Sequence, residues 1–243
     1  MKNTLLALSA LILLVACNKE ENHADANVHI TGTIKGFKKG KLFIQRYADT
    51  ALVNIDTIVI DGSPTFESHL KLDSPEMLYL VIDRVKTNSV DDNLQFFAEP
   101  GNIKIVTYLD KFYSAAKITG SKNQEVYQEF LAVKKRLTDA NLDLVAKDIE
   151  ARKSKNIAQL DSISLKSDQH LKRRYLYTAN FALNNAKYEA GPYIALSEIP
   201  DANTKYLDTI RKSMTPQVAK SLYGKMLTKY VADRKKAEAA PVQ

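Results

Sequence analysis

The sequence predicts an α+β protein: an N-terminal antiparallel β-sandwich of about eight strands over residues 28–120, followed by a C-terminal helical region over residues 121–236. Three observations predict it. From Val28 to about Thr119, apolar and polar residues alternate with a period of two, which turns one face of each strand toward a core. Turn residues interrupt the alternation every roughly 8–15 residues, the spacing of a small sandwich. At Gly120-Ser121 the period changes to 3.6, the repeat of a helix with one buried face.

The first sixteen residues read as an address. Met1-Lys2-Asn3 is a short positive start, and residues 5–15 are an apolar run too short for a good membrane span. The run ends in Leu14-Val15-Ala16-Cys17, which resembles a lipobox, the signal for diacylglyceryl transfer to a thiol and cleavage before it. Residues 1–16 are therefore expected to be a lipoprotein signal peptide and Cys17 the lipid attachment site. Acyl chains on Cys17 would hold the mature chain stably on a membrane. Residues 17–27 are polar and cannot bury enough apolar surface to order themselves, so they read as a flexible tether. Lys19-Glu20-Glu21 resembles a surface-export signal of some envelope lipoproteins. The expected location is the outer membrane, with both a periplasm-facing and a surface-exposed site open.

The strands follow in order. His29, Thr31 and Thr33 alternate with Val28 and Ile30. Leu42-Phe43-Ile44 follows a Gly40-Lys41 turn, and Ile55, Thr57 and Val59 alternate up to an Asp61-Gly62 hairpin turn. The chain returns from Pro64 to Leu70; a proline there predicts an edge position. Residues 77–82 form a continuous apolar run, Leu94 to Phe97 leads to the Glu99-Pro100-Gly101-Asn102 turn, and Ile103, Ile105, Thr107, Ala116 and Ile118 close the set.

In the helical region, Ser121 predicts an N-cap with Gln124 as its reciprocal partner in a capping box, and Val126, Phe130, Val133 and Leu137 line one face. A second long helix is expected to run to about Lys187, with a polar, loose first half over residues 152–168. Gly191-Pro192 predicts a break. Short helices are expected at 193–198, at 204–212 behind an Asn203 cap, and at 216–220 with Thr215 as cap and Pro216 at the first helical position. A last helix over 223–235 precedes a frayed tail, 237–243.

Several segments together resemble the DUF4369 domain, the N-terminal β module of many thioredoxin-like envelope lipoproteins. They are Ile30-Thr31-Gly32-Thr33-Ile34-Lys35-Gly36, Gly40-Lys41-Leu42-Phe43-Ile44, Ile55-Asp56-Thr57, Asp61-Gly62, Ser74-Pro75, Phe96-Phe97-Ala98-Glu99-Pro100-Gly101 and Thr119-Gly120-Ser121. The helical part is similar to the middle segment of those lipoproteins at Ala190-Gly191-Pro192-Tyr193 and Ser221-Leu222-Tyr223-Gly224-Lys225. Longer relatives continue into a thioredoxin fold with a Cys-x-x-Cys motif. Redox chemistry of that kind needs a low-pKa thiolate and a resolving thiol, and this sequence holds one cysteine, Cys17. The resemblance implies fold and envelope location, and it carries over no catalytic residue.

Composition and motifs point the same way. The 243 residues are 45% hydrophobic and 26% charged, which suits a chain with a sizeable core. The formal charge of +7 is dispersed; no run of five basic residues occurs, and aromatics do not interleave with arginines, so nucleic acid is not an expected partner. His23, His29, His69 and His170 are scattered without metal-ligand spacing, and Asp91-Asp92-Asn93 lacks the alternation of a cation loop. Asp56 and Asp61 have no evident acid–base partner, and neither a nucleophile elbow nor a phosphate loop occurs. No catalytic residue, metal site or cofactor is expected. The strongest candidate contact patch is Lys172, Arg173, Arg174, Tyr177 and Tyr188, where tyrosines gather beside basic residues near the second helix. The expected role is a non-enzymatic binding module for an envelope protein or ligand. The alternative is an accessory subunit that docks on a separate thioredoxin-like protein.

Overall fold

A computed structural model describes residues 25–48, 50–83 and 90–239. Leu14, Val15, Ala16 and Cys17, with the rest of the signal segment, most of the tether and residues 240–243, lie outside the described residues. Among the described residues the period-two half of the chain forms eight strands: β1 (Val28–Lys35), β2 (Lys39–Ala48), β3 (Ala51–Asp61), β4 (Thr65–Leu70), β5 (Glu76–Ile82), β6 (Asn93–Ala98), β7 (Gly101–Tyr108) and β8 (Lys117–Thr119). They make two four-stranded sheets, in the orders β4-β1-β7-β8 and β3-β2-β5-β6. Ile30, Ile34 and Ile105 from the first sheet meet Leu42, Leu80 and Phe96 from the second, and all six are fully buried. β4 stands at an edge, where Pro64 before it costs no ladder bond; the Pro64 carbonyl accepts from the Ile34 N–H at 2.9 Å.

Among the described residues all strand pairs are antiparallel except one. β1 and β7 run parallel, from Val28 opposite Gly101 to Lys35 opposite Tyr108. Between these two strands the chain builds the whole second sheet, and a crossover of that length is what a parallel pair requires.

The second sheet is covered on both faces, and this explains the unbroken apolar run in β5. Leu78, Leu80 and Ile82 enter the sandwich core, while Met77 and Tyr79 face the helices. Those helices are α1 (Lys122–Lys153), α2 (Ile157–Asn184), α3 (Ala190–Glu198), α4 (Thr204–Ser213), α5 (Pro216–Lys220) and α6 (Leu222–Ala239). Met77, Tyr79 and Phe97 pack there with Val126, Phe130, Ile194 and Leu227 as a second core. Among the described residues no helix is long and apolar enough to cross a membrane.

The junction between sheet and α1 departs from a simple capping box. Ser121 Oγ accepts from the Gln124 N–H at 3.0 Å as expected, but Gln124 Oε1 accepts from the Phe97 N–H of β6 at 2.7 Å. The glutamine thus anchors the helix to the sheet. Glu99 caps a different N–H of the first turn: its carboxylate accepts from the Lys122 N–H and from Asn123 Nδ2, the latter at 2.6 Å. Asn123 also donates to Glu189 Oε2 at 3.1 Å and accepts from the Ala190 N–H at 2.9 Å, so one buried side chain ties α1 to the start of α3. Gly120 makes the turn with φ of 97°; a Cβ there would lie 1.9 Å from the Asn102 carbonyl oxygen.

Other boundaries move for local reasons. α1 continues through Lys153, and α2 begins at Ile157, so the polar stretch over residues 152–168 contains the turn between two helices. Lys155 takes the left-handed conformation (φ 54°) that ends α1, and Asn156 caps α2 by accepting from the Gln159 N–H. Gly191-Pro192 lies in the first turn of α3, where a missing N–H costs nothing. The Asn203 and Thr215 caps form as read from the sequence. α6 runs on to Ala239, and its Glu238 accepts a hydrogen bond from Thr204 Oγ1 at 2.5 Å.

Candidate functional site

The ladder between β2 and β5 ends at Gln45 opposite Tyr79. Beyond that pair the two strands separate, and the gap has its own occupants. Arg46 Nη1 reaches Glu76 Oε2 across it at 3.3 Å, and the Met77 N–H donates to the Tyr223 hydroxyl of α6 at 2.9 Å. Helices α3 and α6 lie over this opening and leave a pocket of about 530 Å³. Its floor is Met77 and Tyr79, its walls are Tyr193 and Tyr223, and its mouth is Tyr47, Leu222 and Met226. The mouth is open and apolar: Tyr47 is 55% exposed, Met226 48% and Leu222 40%.

Local sequence sets these positions. Ser221 ends α5, donating from Oγ to the Val218 carbonyl at 2.7 Å, and α6 starts at once. A Cβ on Gly224 would lie 1.8 Å from the Val218 carbonyl oxygen, so glycine allows the two helices to meet this closely. The tight corner, together with a bond from the Leu222 N–H to Ser74 Oγ at 3.2 Å, turns Leu222, Tyr223 and Met226 toward the sheet.

Behind the pocket lies an aromatic cluster. Phe97, fully buried, meets Tyr127, Tyr193 and Tyr223 edge to face, with ring centroids 5.8, 5.2 and 6.0 Å away. Tyr193 in turn meets Tyr223 at 5.0 Å and Tyr127 at 5.8 Å, both edge to face. Burial pushes the hydroxyls of Tyr79, Tyr193 and Tyr223 above the usual phenol value, so they stay neutral at physiological pH. Burial likewise raises the Glu76 carboxyl, against the lowering pull of Arg46. The site therefore offers apolar surface, neutral phenols that donate or accept, and one carboxylate already paired with an arginine. It is suited to holding a compact apolar group with a hydrogen-bonding edge.

The sequence-derived patch is distributed differently. Arg174 and Tyr177 line a smaller hollow of about 260 Å³ between α1, α2 and α3, beside the Lys134–Glu198 ion pair at 2.7 Å. The Tyr177 ring stacks on Phe130 there, with centroids 6.0 Å apart. Lys172 and Arg173 are exposed on α2, and Tyr188 lies past its end with the Lys187 ammonium 5.2 Å from the ring centre. Asp56 accepts from Ser68 Oγ at 2.5 Å. Sequence reasoning missed Tyr47, Glu76 and Tyr79 as site residues. The available signal was the unbroken run in β5, since burial on both faces means that something covers the second one.

Residues 28–127 match a family model described as "Domain of unknown function (DUF4369)". The matched stretch takes in the sandwich and the first residues of α1, which include Ser121, Asn123 and Gln124 at the junction. No curated protein matches the chain, and no solved structure does.

Proposed function

We infer that this protein, whose residues 28–127 are a DUF4369 domain, is a non-enzymatic binding module of the cell envelope. It is held at the outer membrane by lipid on Cys17 and takes its ligand or partner through the pocket between β5, α3 and α6. The observation that carries the reading is that pocket: about 530 Å³ of tyrosine, methionine and leucine surface behind an exposed apolar mouth. Sites of this volume hold a small molecule or the anchoring side chain of a protein partner. The occupant is an aromatic or branched aliphatic group, since the buried phenols are neutral and the single carboxylate is matched by Arg46. Supporting the anchor are the lipobox residues Leu14, Val15, Ala16 and Cys17.

Methyl NMR tests the site directly. Met77 and Met226 line the pocket and Met214 does not. With methionine methyl groups labelled in the lipidated chain, indole stands in for a small ligand and an acetylated Gly-Phe-Gly amide for a protein side chain. Saturable movement of the Met77 and Met226 signals, with Met214 still, is expected for at least one probe, and Leu222→Glu at the mouth should abolish it. No saturable movement with either probe, or movement unchanged in Leu222→Glu, rejects the pocket as the binding site. For the anchor, palmitate labelling should be lost in Cys17→Ala; labelling that persists rejects it.

A further inference from the structure

We propose that His29 and His69 form a two-histidine site for a divalent transition metal, copper(II) before nickel(II) or zinc(II), on the outward face of the first sheet. The two residues are forty apart in sequence and directly opposite each other in the antiparallel β1–β4 register. Their Nδ1 atoms are 2.9 Å apart and their ring centroids 5.1 Å apart. Two nitrogens at that separation, each about 2.0–2.1 Å from a shared ion, subtend about 90° at it. That angle belongs to neighbouring corners of a tetragonal site, the geometry copper(II) favours with nitrogen and oxygen ligands. In the metal-free pair one Nδ1 donates a hydrogen to the other. Metal binding needs both rings as the tautomer with hydrogen on Nε2, which leaves two Nδ1 lone pairs to bind.

The strands hold these donors in place. Two residues before His29, the Asn27 side chain donates to the Leu72 carbonyl at 2.8 Å and accepts from the Leu72 N–H at 2.9 Å. The Asn27 N–H also donates to the Leu70 carbonyl at 3.0 Å, and its carbonyl accepts from the Gly101 N–H at 2.9 Å. This clamps β1 to both neighbours next to the histidines, so the backbone that carries them is already ordered before binding. Both residues are half-buried. Glu67, two residues before His69 on the same strand face, and Asn102, opposite His29 on β7, put oxygen donors on the same face. Among the described residues no three His, Cys, Asp or Glu side chains gather around one point; the protein supplies two ligands and water fills the other positions. The site does not depend on the tyrosine pocket.

Copper(II) titration of the lipidated, tag-free chain in zwitterionic nanodiscs, read by calorimetry and electron paramagnetic resonance, tests it. One saturable site per chain with nitrogen hyperfine structure is expected. Its affinity should fall at least tenfold in His29→Gln and in His69→Gln and hold in His170→Gln. The proposal is overturned by binding that persists in both strand variants, by an equal loss in His170→Gln, or by copper without nitrogen ligands. The unsubstituted chain gives an independent readout: zinc(II) should move the ring Nδ1 resonances of His29 and His69 and leave His170 in place. Nitrogen signals that stay fixed at saturating zinc(II) overturn the proposal as well.

Discussion

The two halves of α1 belong to one continuous helix and live in different surroundings. Its inner half rests on the second sheet and buries Gln124, Val126, Tyr127, Phe130 and Leu137. Its outer half, residues 138–153, buries only Ala151 among the described residues, while Leu142, Val145 and Ile149 are exposed, Leu142 by 59%. α2 shows the contrast less sharply: its outer end leaves Ile157 and Leu165 in solvent but buries Ile163, and its inner end buries Thr178 and Ala182. Helical form is thus maintained in two ways. The inner turns are held by packing on the sheet and the shorter helices; the outer turns rely on a narrow contact between α1 and α2 at Ala151 and Ile163, on local propensity and on surface pairs such as Asp148–Arg152 at 2.6 Å, which are worth a few tenths of a kcal/mol each.

Truncation at the centre of the packed region should cost most. Phe97→Ala removes the ring that three tyrosines contact and is expected to destabilise by about 3–5 kcal/mol in urea unfolding. A loss under about 1 kcal/mol would mean that the aromatic cluster is not what seats the helices. Next comes the junction: Gln124→Ala leaves the buried Phe97 N–H without an acceptor, at about 1–3 kcal/mol. If Gln124→Ala and Gln124→Glu cost the same, the acceptor role is wrong.

An intermediate case lies at α4. Lys235, Arg211 and Lys212 hold the Asp208 carboxyl well below its ordinary value, and Lys235 brings this charge from α6. A carboxyl depressed by folding adds stability that is fully present above its unfolded value, 3.8, and is lost as pH falls through the folded one. The difference in Tm between wild type and Asp208→Asn should therefore be widest near neutrality and shrink below about pH 4. A difference that stays constant on acidification contradicts it. The smallest effect belongs to the outer arm: Leu142→Ala should change stability by less than about 0.5 kcal/mol. Amides over residues 140–165 should also exchange far faster than those of β5; equal protection would erase the contrast.

The parts of this fold that were legible in sequence are those decided within a few residues. Alternation marked the strands, and Ser121, Asn203 and Thr215 announced their helices because a side-chain oxygen beside an unpaired N–H is a local device. The turn at residues 154–156 was not legible, because Lys155 adopts without glycine a backbone shape that glycine usually marks. Gln124 misled for the opposite reason: its spacing fits a capping box, yet a free strand N–H on β6 competes for it. The pocket assembles Tyr47, Glu76, Tyr193 and Met226 from four distant segments, and the facing histidines depend on register across β1 and β4. Neither leaves a periodic trace along the chain, since proximity there is made by topology.

β1 is an interior strand, bonded to β4 on one side and to β7 on the other along most of its length. A chain held by its N-terminus would feel tension first at Asn27, directed along the axis of that strand. Such a load strains both ladders together in shear, whereas a strand at an edge would unzip one bond at a time. Tension entering at that end would therefore load an interior strand of the sandwich and not an edge.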